Sequence, residues 1–177
     1  MISKLPFVVG AGNLPESHMR ACSYALFSHW EGRFFQFSNN DSPVNVLNSF
    51  SKKSGLAALY GDPGVFQSQT GSWLEALGAW KQPTVLVTTT RENDAVPGSA
   101  AAYVSLCESM SVPLLGLVQF GGRWSPDERK LDSLPWCGWI SNENINESSE
   151  LMENSAEQKK RNSIVSELLM KRFLEFG

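Results

Sequence analysis

Short, almost uninterrupted apolar runs recur along the chain at 5–9, 33–37, 56–60, 84–88, 112–118 and 136–140. They are rich in Val, Leu and Phe and mostly do not alternate with polar residues, which is how strands covered on both faces of a parallel sheet read. Between them the apolar spacing changes to three and four. Pro15 suits a first helical turn, and Met19, Cys22, Leu26 and Trp30 then share one face. Ser72 followed by Glu75 has the form of a capping box, with Trp73, Leu77 and Trp80 as the apolar stripe behind it and Gly78 keeping the helix short. After Pro97-Gly98, a helix over 99–110 gathers Tyr103, Leu106, Cys107 and Met110 on one side, before Pro113 begins the next strand. Pro126 opens a short helix that ends near Ser133. This alternation predicts a three-layer, doubly wound α/β domain with a mostly parallel sheet of about six strands and right-handed crossovers.

From Ser141 to Glu157 the composition turns to Asn, Glu and Ser, with five glutamates and no basic residue, and reads as a connection. The α/β domain is therefore expected over 1–140, an acidic linker over 141–157 and an amphipathic helix over 158–177. Ile164, Val165, Leu168, Leu169 and Phe173 line one face of that helix, opposite Lys159, Lys160, Arg161, Lys171 and Arg172. The stripe suits docking on its own domain or on a partner, and Ile164, Leu168, Leu169 and Phe173 are the residues that would meet a partner.

Composition narrows the classes. With 177 residues the chain has room for one central sheet and one core. A net charge of −3 gives no overall basic surface for nucleic acid, and Lys52-Lys53 and Lys159-Lys160-Arg161 are too short to bind phosphates unaided. Cys22, Cys107 and Cys137 are widely spaced and odd in number, as reduced core thiols are; His18 and His29 adjoin none of them, which argues against a zinc site. The opening residues lack a signal-peptide pattern, and no run approaches the roughly 18 apolar residues of a membrane span. A cytoplasmic protein is the expectation.

Candidate chemistry gathers where strands end. Gly10-Ala11-Gly12-Asn13 lies between a strand and a helix, where two glycines and a helix N-terminus can approach an anion. Ser17 follows within the first turn, although Pro15 takes the place of a third glycine and Glu16 brings negative charge. The loop is a plain turn or an anion site. Asp62 in Gly61-Asp62-Pro63-Gly64 sits where a magnesium-organising acid belongs, or begins a Pro-Gly turn. Thr88-Thr89-Thr90-Arg91 offers hydroxyls and one cation, and Gln67-Ser68-Gln69-Thr70-Gly71 is a polar loop at the same edge. His18 and His29 read as packed or capping residues. Trp136 and Trp139, an odd number of residues apart, point to opposite faces of a strand or flank a bend, and serve packing.

The stretch from Leu56 to Ile140 carries a resemblance. Ala58-Leu59-Tyr60-Gly61-Asp62-Pro63-Gly64, then Pro83-Thr84-Val85-Leu86-Val87-Thr88-Thr89-Thr90, then Val112-Pro113-Leu114-Leu115-Gly116-Leu117-Val118, and finally Leu134-Pro135-Trp136-Cys137-Gly138-Trp139-Ile140 follow in order. Over about half the chain this resembles the P-loop nucleotide hydrolases that include dethiobiotin synthetases and the septum-site and chromosome-partition ATPases. The resemblance implies a P-loop-NTPase-like, Rossmann-like sheet. The chemical positions depart from it: the first loop lacks the phosphate-binding lysine, no G-x-x-x-x-G-K-[ST] occurs, Gln119-Phe120-Gly121-Gly122 replaces a base-reading asparagine, and Ser38-Asn39-Asn40-Asp41 replaces a substrate-contacting lysine. The expectation is a degenerate member without catalytic residues or cofactor, acting through a protein partner or as a homodimer. The alternatives are an ATP- and magnesium-dependent ligase resembling dethiobiotin synthetase, or a small-ligand module. In either, Gly10, Ala11, Gly12, Asn13, Ser17, Asp62, Gly64, Thr89, Arg91 and Gln119 are the binding candidates, and Asp62 the metal ligand if magnesium is used.

Overall fold

The computed structural model describes residues 5–50, 53–142 and 151–176. Six parallel strands form one sheet in the order β2-β3-β1-β4-β5-β6. They are β1 (Phe7–Gly10), β2 (Arg33–Ser38), β3 (Gly55–Tyr60), β4 (Thr84–Thr89), β5 (Leu114–Phe120) and β6 (Trp136–Ile140). The helices are α1 (Glu16–Phe27), α2 (Pro43–Asn48), α3 (Trp73–Ala79), α4 (Gly98–Ser109), α5 (Pro126–Leu131) and α6 (Leu151–Phe176). The expected three-layer α/β fold is what the chain adopts. β1 and β3, apolar at nearly every position, are buried throughout, whereas β2, an edge strand, is only partly covered.

Strand order and handedness decide where each helix lies. The connection from β1 to β2 runs one way across the sheet; those from β2 to β3, β3 to β4, β4 to β5 and β5 to β6 all run the other way. Right-handed crossovers that reverse direction change face. Accordingly α2, α3 and α4 contribute Leu47, Trp73, Leu77, Val104 and Cys107 to a core on one face, and Trp136 above α5 joins them. The other face receives α1 alone, through Met19, Cys22 and Leu26. That leaves Val118, Phe120, Cys137 and Ile140 without a crossover helix. α6 covers them with Val165 and Leu169, and packs on β5, β6 and α1.

The C-terminal helix thus docks on its own domain. Ser166 Oγ donates to the Leu26 carbonyl at 3.3 Å, and Arg172 Nη1 donates to the Leu115 carbonyl at 2.7 Å and lies 3.1 Å from Cys137 Sγ. Phe173 packs edge-on against Trp30, with ring centroids 5.5 Å apart. Of the four residues expected to meet a partner, Leu169 is buried, Leu168 and Phe173 pack partly buried on this core, and Ile164 is 57% exposed. The helix also begins at Leu151, inside the stretch read as a linker; Leu151, Met152, Glu153, Ala156, Glu157 and Gln158 are good helix formers. Residues 143–150 of that stretch lie outside the described residues.

Local signals behave as their chemistry requires. Both halves of the capping box form: Ser72 Oγ accepts from the Glu75 N–H at 3.2 Å, and the Ser72 N–H donates to Glu75 Oε2 at 2.6 Å. Cys22, Cys107 and Cys137 are free and buried. Burial pushes the Cys22 thiol far up and Cys107 to about 12; Cys137 rises to about 11, held back by the Arg172 guanidinium. Trp136 and Trp139 do part: Trp136 packs edge-on with Trp124, and Trp139 lies under the Arg161 guanidinium of α6. No described helix is long and apolar enough to cross a membrane.

Candidate functional site

The chain leaves β1 toward β2 and leaves β4 toward β5, in opposite directions. Loops at the C-terminal ends of these adjacent strands therefore diverge and open a crevice, the position where open α/β sheets take ligands. The loop after β1 forms one wall. Its Ala11 N–H donates to the Val87 carbonyl of β4 at 2.8 Å, and its Leu14 N–H turns back to the Gly12 carbonyl at 3.1 Å. Gly12 has a φ of 104°, which a residue with a side chain rarely adopts and which lets the loop fold over.

A side chain from α4 occupies the space beside that loop. A Cβ added to Gly12 would lie 3.9 Å from the Tyr103 ring, and one added to Gly64 would stand 2.9 Å from the Tyr103 hydroxyl. The Tyr103 O–H donates to Asp62 Oδ1, and the Gly64 N–H donates to the same oxygen at 2.8 Å. Burial, then the hydrogen bond to Asp62 and its charge, hold the Tyr103 phenol well above its ordinary value near 10, so it stays a neutral donor. Hydrogen bonds to a charged group are typically worth about 1.5–3 kcal/mol.

Gly12, Asp62 and Gly64 thus meet around one tyrosine, while Gly10 packs against Leu14 and Ala11 is tied to β4. Thr89 ends β4 beside them, while Arg91 is exposed in a turn closed by its N–H on the Ala95 carbonyl, 2.9 Å. Gln119 is turned into the protein: fully buried, it donates through Nε2 to the Gly121 and Arg123 carbonyls at 2.9 and 3.0 Å and accepts from Arg129 Nε at 3.2 Å. Asn13 and Ser17 fall on the far side of the loop, Asn13 on a separate cleft and Ser17 exposed on α1. Gln67 fastens the polar loop after β3 by donating its Nε2 to the Asn39 carbonyl. His18 packs against Phe120, ring centroids 5.6 Å apart.

Lys53 does not replace the lysine missing from the first loop. Lys53 precedes β3, at the opposite end of the sheet, with its ammonium over the Phe35 and Phe50 rings. Lys4 and Lys52 lie outside the described residues. Among the described residues, no group of three or more His, Cys, Asp and Glu side chains is placed to hold a metal ion.

No family model matches the chain, and no curated protein matches it in sequence. Solved structures do match its shape. One is a Borrelia burgdorferi B31 protein, described as a putative plasmid partition protein and solved bound to AMPPNP. It superposes with a TM-score of 0.58 over 96% of this chain and 100% of its own, at 9% sequence identity. The fold is P-loop-NTPase-like. At that identity the likeness is one of fold alone, and the chemistry rests on this chain's own residues.

Tyr103 does not stand out in the sequence as a site residue, because Leu106, Cys107 and Met110, three, four and seven residues on, make it one member of an apolar stripe. Its position one turn into the helix after β4, facing the crevice, was the available signal.

Proposed function

We propose that this protein is a P-loop-NTPase-like scaffold that works by binding a protein partner or a second copy of itself, without nucleotide hydrolysis. The observation that carries the reading is the Tyr103–Asp62 hydrogen bond laid against Gly12. In an active nucleotide hydrolase this space belongs to phosphates, cradled by loop N–H groups and neutralised by a lysine and a magnesium ion. Here two loop N–H groups are engaged with Val87 and Gly12, a phenol stands beside the loop, and Asp62 is anchored through Oδ1. These residues do not fit a triphosphate. Val65 and Phe66, exposed at 49% and 70% beside Asp62, add apolar surface of the kind that partners cover.

The test is a calorimetric and thermal-shift titration with ATP, ADP and AMPPNP, with and without magnesium, alongside sedimentation equilibrium. The expected result is no saturable nucleotide response at millimolar concentration. Magnesium-dependent stabilisation would overturn the reading, since a ligand at about 100 times its Kd adds about 2.7 kcal/mol to stability. It would favour the nucleotide-dependent alternatives and make Asp62 and Arg91 the residues to replace.

A further inference from the structure

The two edges of the sheet differ in how far they can pair with another chain. β6 has five residues, shifts register against β5 between Leu117 and Val118, and lies under α6. Irregularity and cover of this kind blunt an edge. β2 has neither. Its six residues, Arg33-Phe34-Phe35-Gln36-Phe37-Ser38, keep an unbroken register with β3, from Arg33 opposite Gly55 to Ser38 opposite Tyr60. They include three phenylalanines and no proline, and among the described residues no strand pairs with their outer side.

Hydrogen bonding shows what that outer side presents. The Arg33 N–H donates to the Ser54 carbonyl at 3.1 Å and the Asn39 N–H to the Tyr60 carbonyl at 2.8 Å. In a parallel ladder alternate residues face the neighbour, so Arg33, Phe35 and Phe37 turn their main-chain groups to β3 while Phe34, Gln36 and Ser38 turn theirs outward. The Ser38 N–H already has a partner, Asp41 Oδ2, at 2.8 Å. The open stretch is thus Phe34 to Gln36, with an exposed carboxylate at one end. At the other end stands Arg33, exposed and without an ion pair among the described residues. Aromatic rings flank the stretch on both faces: Tyr24, 50% exposed, packs on Phe34, and Phe35 meets Phe50 edge-on with the Lys53 ammonium folded onto both rings.

We infer that β2 pairs antiparallel with β2 of a second copy of this chain, across a two-fold axis at Phe35. In that register the N–H and C=O of Phe34 exchange hydrogen bonds with those of Gln36 in the other copy, and the same pair forms on the other side of the axis. The two Phe35 side chains face one another as a close cross-strand pair. Charge selects this arrangement: antiparallel pairing brings Arg33 of each copy alongside Asp41 of the other, whereas parallel pairing sets like charges together. A slip that placed Gln36 opposite Gln36 would aim the Phe34 carbonyl at the Asp41 carboxylate, acceptor against acceptor. With one such edge per chain the contact closes at two copies. The inference narrows the proposed partner to a second copy, and it uses the edge of the sheet, away from the crevice of Tyr103 and Asp62.

The experiment joins sedimentation equilibrium of the full chain to amide hydrogen exchange read residue by residue at low and high protein concentration. A contact of one strand and its flanks is at the small end for specific interfaces, so a dimer with a Kd of about 10–100 μM is expected. Exchange at the Phe34 and Gln36 amides should slow as the dimer fills, and exchange at Ser38 should not change. Gln36→Pro removes an outward N–H at a position where an edge strand tolerates proline, and should weaken the dimer about tenfold or more. Arg33→Asp and Asp41→Arg should each weaken it several-fold, and the double variant should recover, a reading that holds even if Gln36→Pro does not fold. A monomer up to about 500 μM, a dimer that leaves Phe34 and Gln36 exchange unchanged, or a dimer indifferent to both Arg33→Asp and Asp41→Arg would each overturn the inference. None of these outcomes alters the nucleotide titration, so the two readings fail separately.

Discussion

Replacing Tyr103 by Phe removes one oxygen and keeps the ring that packs beside Gly12. The lost bond is from a neutral phenol to the Asp62 carboxylate, for which the usual range is about 1.5–3 kcal/mol. Asp62 keeps the Gly64 N–H and is partly open to water, which offsets some of that loss. The expected destabilisation is therefore about 1–2 kcal/mol, read from urea unfolding as a lower midpoint with an unchanged slope. The pH dependence supplies a second signature. The folded-state phenol titrates above its ordinary value near 10, so the unfolded chain loses this proton first as pH rises. Its contribution is complete below pH 10 and is lost progressively above it. The buried thiols and Tyr60, also raised, add the same trend to both proteins. The difference in stability between wild type and Tyr103→Phe should thus shrink between pH 10 and the denaturing limit. A change under about 0.3 kcal/mol, with parallel alkaline profiles, would refute the bond to Asp62 and remove the main support for a blocked crevice.

Other expectations follow from the packing. Ser72→Ala breaks one half of the capping box and should cost about 1 kcal/mol in chemical unfolding. Gly116→Ala places a methyl group 2.1 Å from Cys137 Sγ and 2.7 Å from Arg172 Nη1, beneath α6, and should destabilise by about 1–3 kcal/mol or more, with α6 amides losing hydrogen-exchange protection. At pH 8 the three thiols, buried and with their titration pushed upward, should react with a thiol reagent only as fast as the protein opens. Rapid labelling of one of them in native protein would contradict its burial.

The strands were legible because burial on both faces writes itself as continuous apolar runs. β6 spans 136–140 as expected, and β4 extends only one residue further, to Thr89. β5 starts at Leu114 rather than at 112, because the Val112 N–H is taken by the Cys107 carbonyl at the end of α4. α2 escaped notice since its six residues, Pro43–Asn48, are too few to display a helical period. The crevice glycines and Asp62 could be placed at strand ends from the sequence. The contact that defines the crevice could not, because Tyr103 and Asp62 are 41 residues apart and nothing local encodes their meeting. Gln119 shows the converse: its place at a strand end suggested a ligand contact, whereas Arg129 and two loop carbonyls absorb its polar atoms.

The covering of one sheet face by α1 and α6 has a consequence for how the chain reaches its native state. β1, at the centre, waits for β3 and then β4 before both its edges are paired, and the surface shared by Met19, Leu26 and Ile140 stays open until Val165 and Leu169 have been made. Ser166 and Leu26, joined by a hydrogen bond, are 140 residues apart. Long-range pairing of this kind is intrinsically slow. During synthesis, the nascent chain exposes a half-finished apolar wall that chaperones or aggregation can reach, and closure by α6 is the step that ends that exposure.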